Sequence, residues 1–350
     1  MNITFITSTL HAGGSERVMS LLANNLSERG HIVEIICINK HIVYYPINKD
    51  VKLTFVEDII GKSIIKKTLW LRQYVKKKKT DIVIAFMLEI YCLTLTALIG
   101  IKVPIISSER VDPHFFGKAK GFLRWLLLRR TTHLVVQTRQ IKSFFSEKLQ
   151  RKTTIIPNPV TEKVYEILPS EKEKKLIAVG RLAYQKNYTM LLDVMKNIIS
   201  DFPDYHLFIY GEGPERDVYE REIAEKGLKE FVFMPGKTEH ILEEMNSSDI
   251  FVMTSDYEGM SNAMLEAICI GLPVITTNVS GAKDLIEDGV NGYIVEKGDT
   301  DGFTYALRKL LSNENLRIKM GNANRNKAQD FKINKIVDQW EYLIKKVSKQ

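Results

Sequence analysis

Cysteine is scarce in these 350 residues. Cys37, Cys92 and Cys269 each sit in an apolar run, with neither metal-ligand nor disulfide-framework spacing. A disulfide-stapled module and a thiolate metal centre are therefore excluded, and buried thiols in a reducing compartment are expected. The seven histidines offer no metal-spaced pair. No Ser-His-Asp set can be proposed from chain order. Long apolar runs are also missing. The most hydrophobic region, Asp81 to Glu109, is broken by Glu89 and leaves only 12 uncharged residues from Ile90 to Ile101. A membrane span needs about 20, so the stretch reads as strand, helix, strand. The start, MNITFITSTL, has no basic leader and reads as a first strand rather than a secretory signal. Low-complexity tracts are absent.

Charge is present but uneven. Residues 1–150 carry 23 Lys and Arg against 11 Asp and Glu, a net +12; residues 151–350 carry 27 against 31, a net −4. A basic first half fits a polyanionic partner or an anionic membrane surface. Two stretches, 62–79 and 114–133, interleave aliphatic and aromatic residues with cations. The second does so with Phe115, Phe116, Phe122, Trp125, Leu126 and Leu127 among Lys118, Lys120, Arg124, Arg129 and Arg130. Both fit an interfacial helix on anionic lipid, and at least one is expected to face a membrane; both also fit an ordinary core-facing helix with a basic outer face. Nucleic acid is not expected as a partner, for no binding module or stacking platform is recognisable.

Short apolar runs alternate with helical patterns throughout. Strands are predicted at 3–7, 32–38, 52–56, 82–86, 103–108 and 133–138. A second set falls at 175–180, 206–211, 231–236, 249–255 and 273–277. Helices are predicted at 16–30, 187–200, 214–227, 238–246, 262–271, 281–287, 302–311 and 334–347. Unalternating apolar strands separated by helices imply mostly parallel sheets covered on both faces. The segment 155–175 holds three prolines and a charge run and reads as a hinge between two α/β domains.

Open α/β sheets bind ligands at strand ends, and glycines cluster there. STLHAGGSER places Gly13 and Gly14 between strand and helix, where the backbone can approach an anion; His11 sits in the same loop. The spacing is neither G-x-G-x-x-G nor a Walker loop. IAVGRLAYQKN sets Arg181 and Lys186 around a turn, a pair able to clamp a diphosphate. YGEGPER supplies Gly211 and Gly213, a loop able to lie flat against a base or ribose. In SDYEGMSNAMLEAI, Glu258 lies at a turn and Glu266 eight residues later in the following helix. Ser261 or Asn262 can cap that helix, with the amides of Asn262, Ala263 and Met264 free to meet phosphate. A carboxylate accepts two hydroxyls of a vicinal diol well. Two acids with amides between them outline a nucleotide-sugar site. Glu109 and Arg110, in SSERVDP, are further polar groups at a strand end.

AGGSER, GRLAYQKN, YGEGPER and the run EGMSNAMLEAICIGLPVITTNVSGAKDLIEDGVNGYIV together resemble the retaining GT-B glycosyltransferases of the family 4 type. The resemblance covers nearly the whole chain. It implies an α/β GT-B fold of two Rossmann-like domains facing across a cleft. Residues 1–160 would bind the acceptor, 161–325 the nucleotide sugar, and 326–350 would cross back as a helix. Arg181, Lys186 and Glu258 would carry catalysis. The donor would be held by Gly14, Arg181, Lys186, Gly211, Gly213, Met260, Ser261, Asn262, Ala263 and Glu266, with the ribose on Glu266. His11, Glu109 and Arg110 are candidate acceptor or sugar contacts. Arg110 falls where many relatives have histidine, which leaves the first-domain catalytic contact open; His11 does not automatically inherit it. No metal and no cofactor beyond the nucleoside-diphosphate sugar is expected. The likeness is to bacterial enzymes that extend surface glycans or undecaprenyl-diphosphate-linked oligosaccharides, working in the cytoplasm at the inner membrane face. A hydrolase or epimerase on the same frame, or a non-catalytic glycan-binding protein, would share the domain cores.

Overall fold

The computed structural model of the chain describes every residue except His41, Phe116, Pro169 and Gln350, and every side chain of the others except those of Phe115, Lys118, Ala119 and Lys120. Two compact units are formed, one from Met1–Pro159 with Ile333–Gln350, the other from Val160–Lys332. In the first, β1 (Asn2–Thr7), β2 (Ile32–Cys37), β3 (Lys52–Phe55), β4 (Ile82–Phe86), β5 (Ile105–Glu109), β6 (His133–Val136) and β7 (Thr153–Ile155) make one parallel sheet in the order β3-β2-β1-β4-β5-β6-β7. In the second, β8 (Lys175–Val179), β9 (His206–Tyr210), β10 (Val232–Gly236), β11 (Ile250–Met253), β12 (Val274–Thr277) and β13 (Gly292–Val295) run β10-β9-β8-β11-β12-β13. Both orders reverse direction once, between β1 and β4 and between β8 and β11. Such a switch point opens a crevice at the carboxyl ends of the strands.

The strands are apolar on both faces because helices cover both. In the first unit one core gathers Phe5, Leu22, Ile84 and Phe86, the other Ile36, Leu71, Tyr91 and Val136. The helix Ile333–Val347 completes the former. Its buried residues Ile336, Val337, Trp340, Leu343, Ile344 and Val347 recur at helical spacing, and Trp340 stacks on Phe86 with centroids 5.9 Å apart. The Asp81–Glu109 stretch is strand, helix (Leu88–Ala97) and strand, and no described helix is long and apolar enough to cross a membrane.

Two strands went unpredicted. β7 is three residues long and ends where the hinge segment was placed; β13 begins at a glycine after an Asn. Each lies at a sheet edge, where pairing on one side suffices and the apolar run is short. The helix Glu314–Ala328 also escaped prediction, because polar residues dominate its sequence and only Met320, Gly321, Asn324 and Ala328 are buried.

Trp340 is fully buried, so Trp340→Ala is expected to cost roughly 3–5 kcal/mol. Urea unfolding should show a lowered midpoint, and hydrogen exchange should quicken at β1 and β4. An unchanged midpoint would contradict this packing.

Candidate functional site

The second unit's switch point is built by two loops, one after β8 and one after β11. Gly180 donates its N–H to the Tyr210 carbonyl (3.0 Å), and Leu182 to that of Glu212 (3.1 Å). This contact dictates Gly211 and Gly213. A Cβ on Gly211, whose φ is +147°, would lie 1.9 Å from the Gly180 carbonyl oxygen, and one on Gly213 2.1 Å from that of Leu182. Both glycines thus have a packing cause in addition to the donor contact the sequence suggests.

The loop 180–187 is then laced to 254–258. Asp256 N–H donates to the Gln185 carbonyl (2.9 Å), and Gln185 Nε2 returns a bond to the Tyr257 carbonyl (3.1 Å). Asn187 Nδ2 donates to Asp256 Oδ1 (3.0 Å), and the Thr254 hydroxyl to the Lys186 or Asn187 carbonyl (3.1 and 2.9 Å). Asn187 adopts the left-handed conformation (φ 47°), and its side chain accepts from Met190 N–H, capping the helix Tyr188–Ile198. Reasoning from sequence passed over Asn187 and Asp256; an Asn just before an apolar helical run was the available signal.

Within this frame Lys186 forms an ion pair with Glu258, both side chains only 13% exposed. The Ser255 hydroxyl also donates to Glu258 Oε1 (3.3 Å). The Lys186 stem passes so close to Gly180 that a Cβ there would meet Cε at 2.7 Å. Tyr188 is buried with its hydroxyl beside Gly180; burial raises its pKa, and the Glu258 charge adds to the rise. Arg181 stands exposed on the same loop. Ser261 caps the helix Asn262–Ile270, its hydroxyl accepting from Met264 N–H (3.3 Å). The positive end of that helix dipole therefore follows directly on the Glu258 turn. Met260 and Glu266 are buried, Asn262 and Ala263 partly so. Chemically, a low-exposure ammonium and carboxylate that neutralise each other can each take a new partner: the ammonium an anion, the carboxylate a pair of hydroxyls. The chain's one D-x-D, Asp299 to Asp301, is a helix start, with Asp299 accepting from Gly302 N–H (2.8 Å). Among the described residues no group of three His, Cys, Asp or Glu could hold a metal.

The first unit places its candidates differently. His11 and Gly14 are exposed at the end of β1 and the head of the helix Gly14–Glu28. Gly13 leaves room for the Glu16 carboxylate, which would lie 2.2 Å from an added Cβ. Glu109 is wholly buried. Tyr91 donates to it (2.7 Å), Arg124 lies 3.8 Å away, and burial pushes its pKa up to about 7. Arg110 is buried too, its Nε donating to the Ser108 hydroxyl (2.9 Å) and Nη1 to Asn158 Oδ1 (2.8 Å). Burial draws its pKa down to about 9, leaving it charged at neutral pH. Asn158, which also accepts from Gln137 (2.6 Å), was hidden from sequence reasoning by the prolines on either side, which read only as hinge.

Residues 160–327 match the family model described as Glycosyl transferases group 1, and residues 12–163 the one described as Glycosyltransferase Family 4. Over 362 residues the chain is 28% identical to a Campylobacter jejuni protein, GalNAc-alpha-(1->4)-GalNAc-alpha-(1->3)-diNAcBac-PP-undecaprenol alpha-1,4-N-acetyl-D-galactosaminyltransferase, with 99% of each chain covered. It is 26% identical over 347 residues to an uncharacterized glycosyltransferase of Haemophilus influenzae, covering 97% of this chain and 98% of the relative. The solved structure of Anabaena Alr3699/HepE in complex with UDP shares the fold at a TM-score of 0.84 and 17% identity, covering 99% of this chain and 100% of that one.

Glu109 yields a pH test. Its folded pKa is raised, so its stabilising contribution is present below the unfolded value and lost as pH rises through about 7. Glu109→Gln keeps an acceptor for Tyr91 and removes the titration. The variant should match or exceed the parent's urea midpoint at pH 8 and lose less between pH 5 and pH 8. Parallel pH profiles would contradict the assignment.

Proposed function

The chain belongs to the family 4 type of GT-B glycosyltransferases, and from that membership we propose that it transfers a hexose or N-acetylhexosamine from a nucleoside-diphosphate sugar, UDP favoured, to a hydroxyl of a lipid-diphosphate-linked glycan, with retention at the anomeric carbon. The observation that carries this reading is the Lys186–Glu258 pair at the second unit's switch point, one turn from the Ser261-capped helix. UDP in the Anabaena structure and the undecaprenol diphosphate in the Campylobacter relative's name support the donor and acceptor classes.

In this mechanism the donor diphosphate takes Lys186 from Glu258. Arg181, Lys186 and the N-terminal amides of the helix Asn262–Ile270 then stabilise the charge that grows as the anomeric C–O bond breaks. Glu258 turns to the donor-sugar hydroxyls, and Glu266 receives the ribose. The acceptor hydroxyl bonds to the anomeric carbon on the face the diphosphate leaves. Its proton passes to the departing phosphate oxygen, so atoms and charge balance without a second nucleophile.

A lipid-linked acceptor fits a reaction at the cytoplasmic face of a bacterial membrane. Residues 118–152 carry ten Lys and Arg and one Glu. The helix Lys118–Leu128 turns Phe122, Leu123, Trp125 and Leu126 to solvent. Of these, Trp125 borders a cavity of about 640 Å³, lined also by Leu128, Phe144, Arg129 and Lys148. Two residues of this stretch lie inside: Leu127 is buried in the core, and Arg124 packs 4.6 Å over the Phe144 ring. In the other basic stretch Lys67 is also buried, bound to Asn39 (2.6 Å) and Glu57 (3.1 Å). Phe116 and the side chains of Phe115, Lys118 and Lys120 lie outside the described residues.

Lys186→Ala is expected to lower kcat by about 10²–10³ with modest change in KM, measured with a panel of UDP- and GDP-sugars on lipid-diphosphate acceptors. Product NMR should show the donor's anomeric configuration. Unchanged turnover, or inversion, would contradict the mechanism. Separately, the protein should float with anionic but not neutral liposomes, less so at high salt, and the Phe122→Ala, Trp125→Ala double variant should float poorly. Absence from anionic liposomes at every salt concentration would sink the membrane assignment.

A further inference from the structure

Arg110 is a buried cation with no counter-ion among the described residues. It follows β5 at the carboxyl edge of the first sheet and is 6% exposed. Two of its nitrogens are fixed by neutral groups, Nε by Ser108 and Nη1 by Asn158. Its plane lies 4.2 Å from the Phe86 ring centroid and 5.8 Å from that of Trp340. Nη2 is closed off and has no hydrogen-bond partner among the described residues. The adjacent carboxylate, Glu109, faces Tyr91 and Arg124. No described acid forms an ion pair with Arg110.

Such an arrangement is costly when empty of charge partners, since neutral acceptors and ring faces repay only part of the lost hydration. It is also oriented, because two anchored nitrogens leave a single direction for the third. Beside it the backbone is strained. Met87, which follows Phe86 at the end of β4, has φ 72° and ψ 149°, a region ordinarily reserved for glycine, and donates its N–H to the Ser108 carbonyl (3.0 Å). Strain and an uncompensated charge meet at the switch-point side of one sheet.

We infer that Arg110 is an oxyanion-binding residue of the first unit, its Nη2 N–H and unshared charge receiving a phosphate or carboxylate oxygen of the acceptor. The inference deepens the acceptor reading proposed above and rests on it only for the ligand's identity as acceptor. Because little of Arg110 reaches solvent, the anion binds with local opening of its cover. Once bound it is nearly dehydrated, which strengthens the charge-assisted bond. A diphosphate headgroup and an acidic sugar are the two sources of that chemistry.

Melting of the full chain tests it without any transfer reaction. An Arg181→Ala, Lys186→Ala background removes the proposed donor clamp, so anion effects there report another site. In this background inorganic pyrophosphate or glucuronate should raise Tm, by about 3 °C at tenfold excess over Kd. A response to pyrophosphate alone assigns a diphosphate; a response to glucuronate alone assigns a carboxylate. Adding Arg110→Met should raise Tm in the absence of either anion and abolish the response, whereas Arg110→Lys should keep part of it. No response of the background to either anion would overturn the inference by itself, as would a full response in Arg110→Met. Transfer to a neutral soluble acceptor by the unaltered chain reports separately on the transferase reading.

Discussion

Lys186 reaches Glu258 because Gly180 has no side chain. A Cβ at Gly180 would meet the lysine stem at 2.7 Å, and the Gly180 and Leu182 carbonyls in turn press against Gly211 and Gly213. Three glycines thus bring the ends of β8 and β9 into backbone contact and clear a path for one ammonium. The hydrogen bonds from Asn187, Gln185 and Thr254 then fix the turn that carries the carboxylate. The pair is a consequence of close backbone approach at a parallel-sheet switch point, and the donor reading of the second unit depends on it.

The two switch points solve opposite electrostatic problems. In the second unit a cation and an anion of equal burial neutralise each other. In the first unit no described acid pairs with Arg110, while Glu109 next to it is kept partly protonated near neutral pH by burial. Burying an unpaired charge is expensive. The exposed Arg129, Arg130, Arg139, Lys148 and Arg151 carry the same sign at the surface, where they attract at longer range but are screened by salt.

Much of this was legible beforehand, for identifiable reasons. Parallel strands buried on both faces write continuous apolar runs, so β1, β4, β8 and β11 stand out. Glycines at strand ends mark where backbones converge, and the Glu258–Glu266 spacing marks a turn and the helix after it. The edge strands β7 and β13 did not stand out, since one-sided pairing tolerates three or four residues of mixed character. Nor did burial of charged groups. Arg124, Lys67 and Glu109 sit in sequences that read as solvated faces or loops, and only the packing of Phe144, Asn39 and Tyr91 against them shows that they are inside. Asn158 was masked by its prolines. Sequence periodicity reports which residues are apolar; it does not report which polar residues have found partners.

The central claim is that the Lys186–Glu258 pair opens to admit the donor. A crystal structure with a non-transferable UDP-sugar analogue bound measures this directly. The expected result is Lys186 Nζ within hydrogen-bond distance of a diphosphate oxygen and Glu258 on the sugar hydroxyls, with the ion pair broken. A nucleotide sugar seated elsewhere, the Lys186–Glu258 contact still closed, would contradict it.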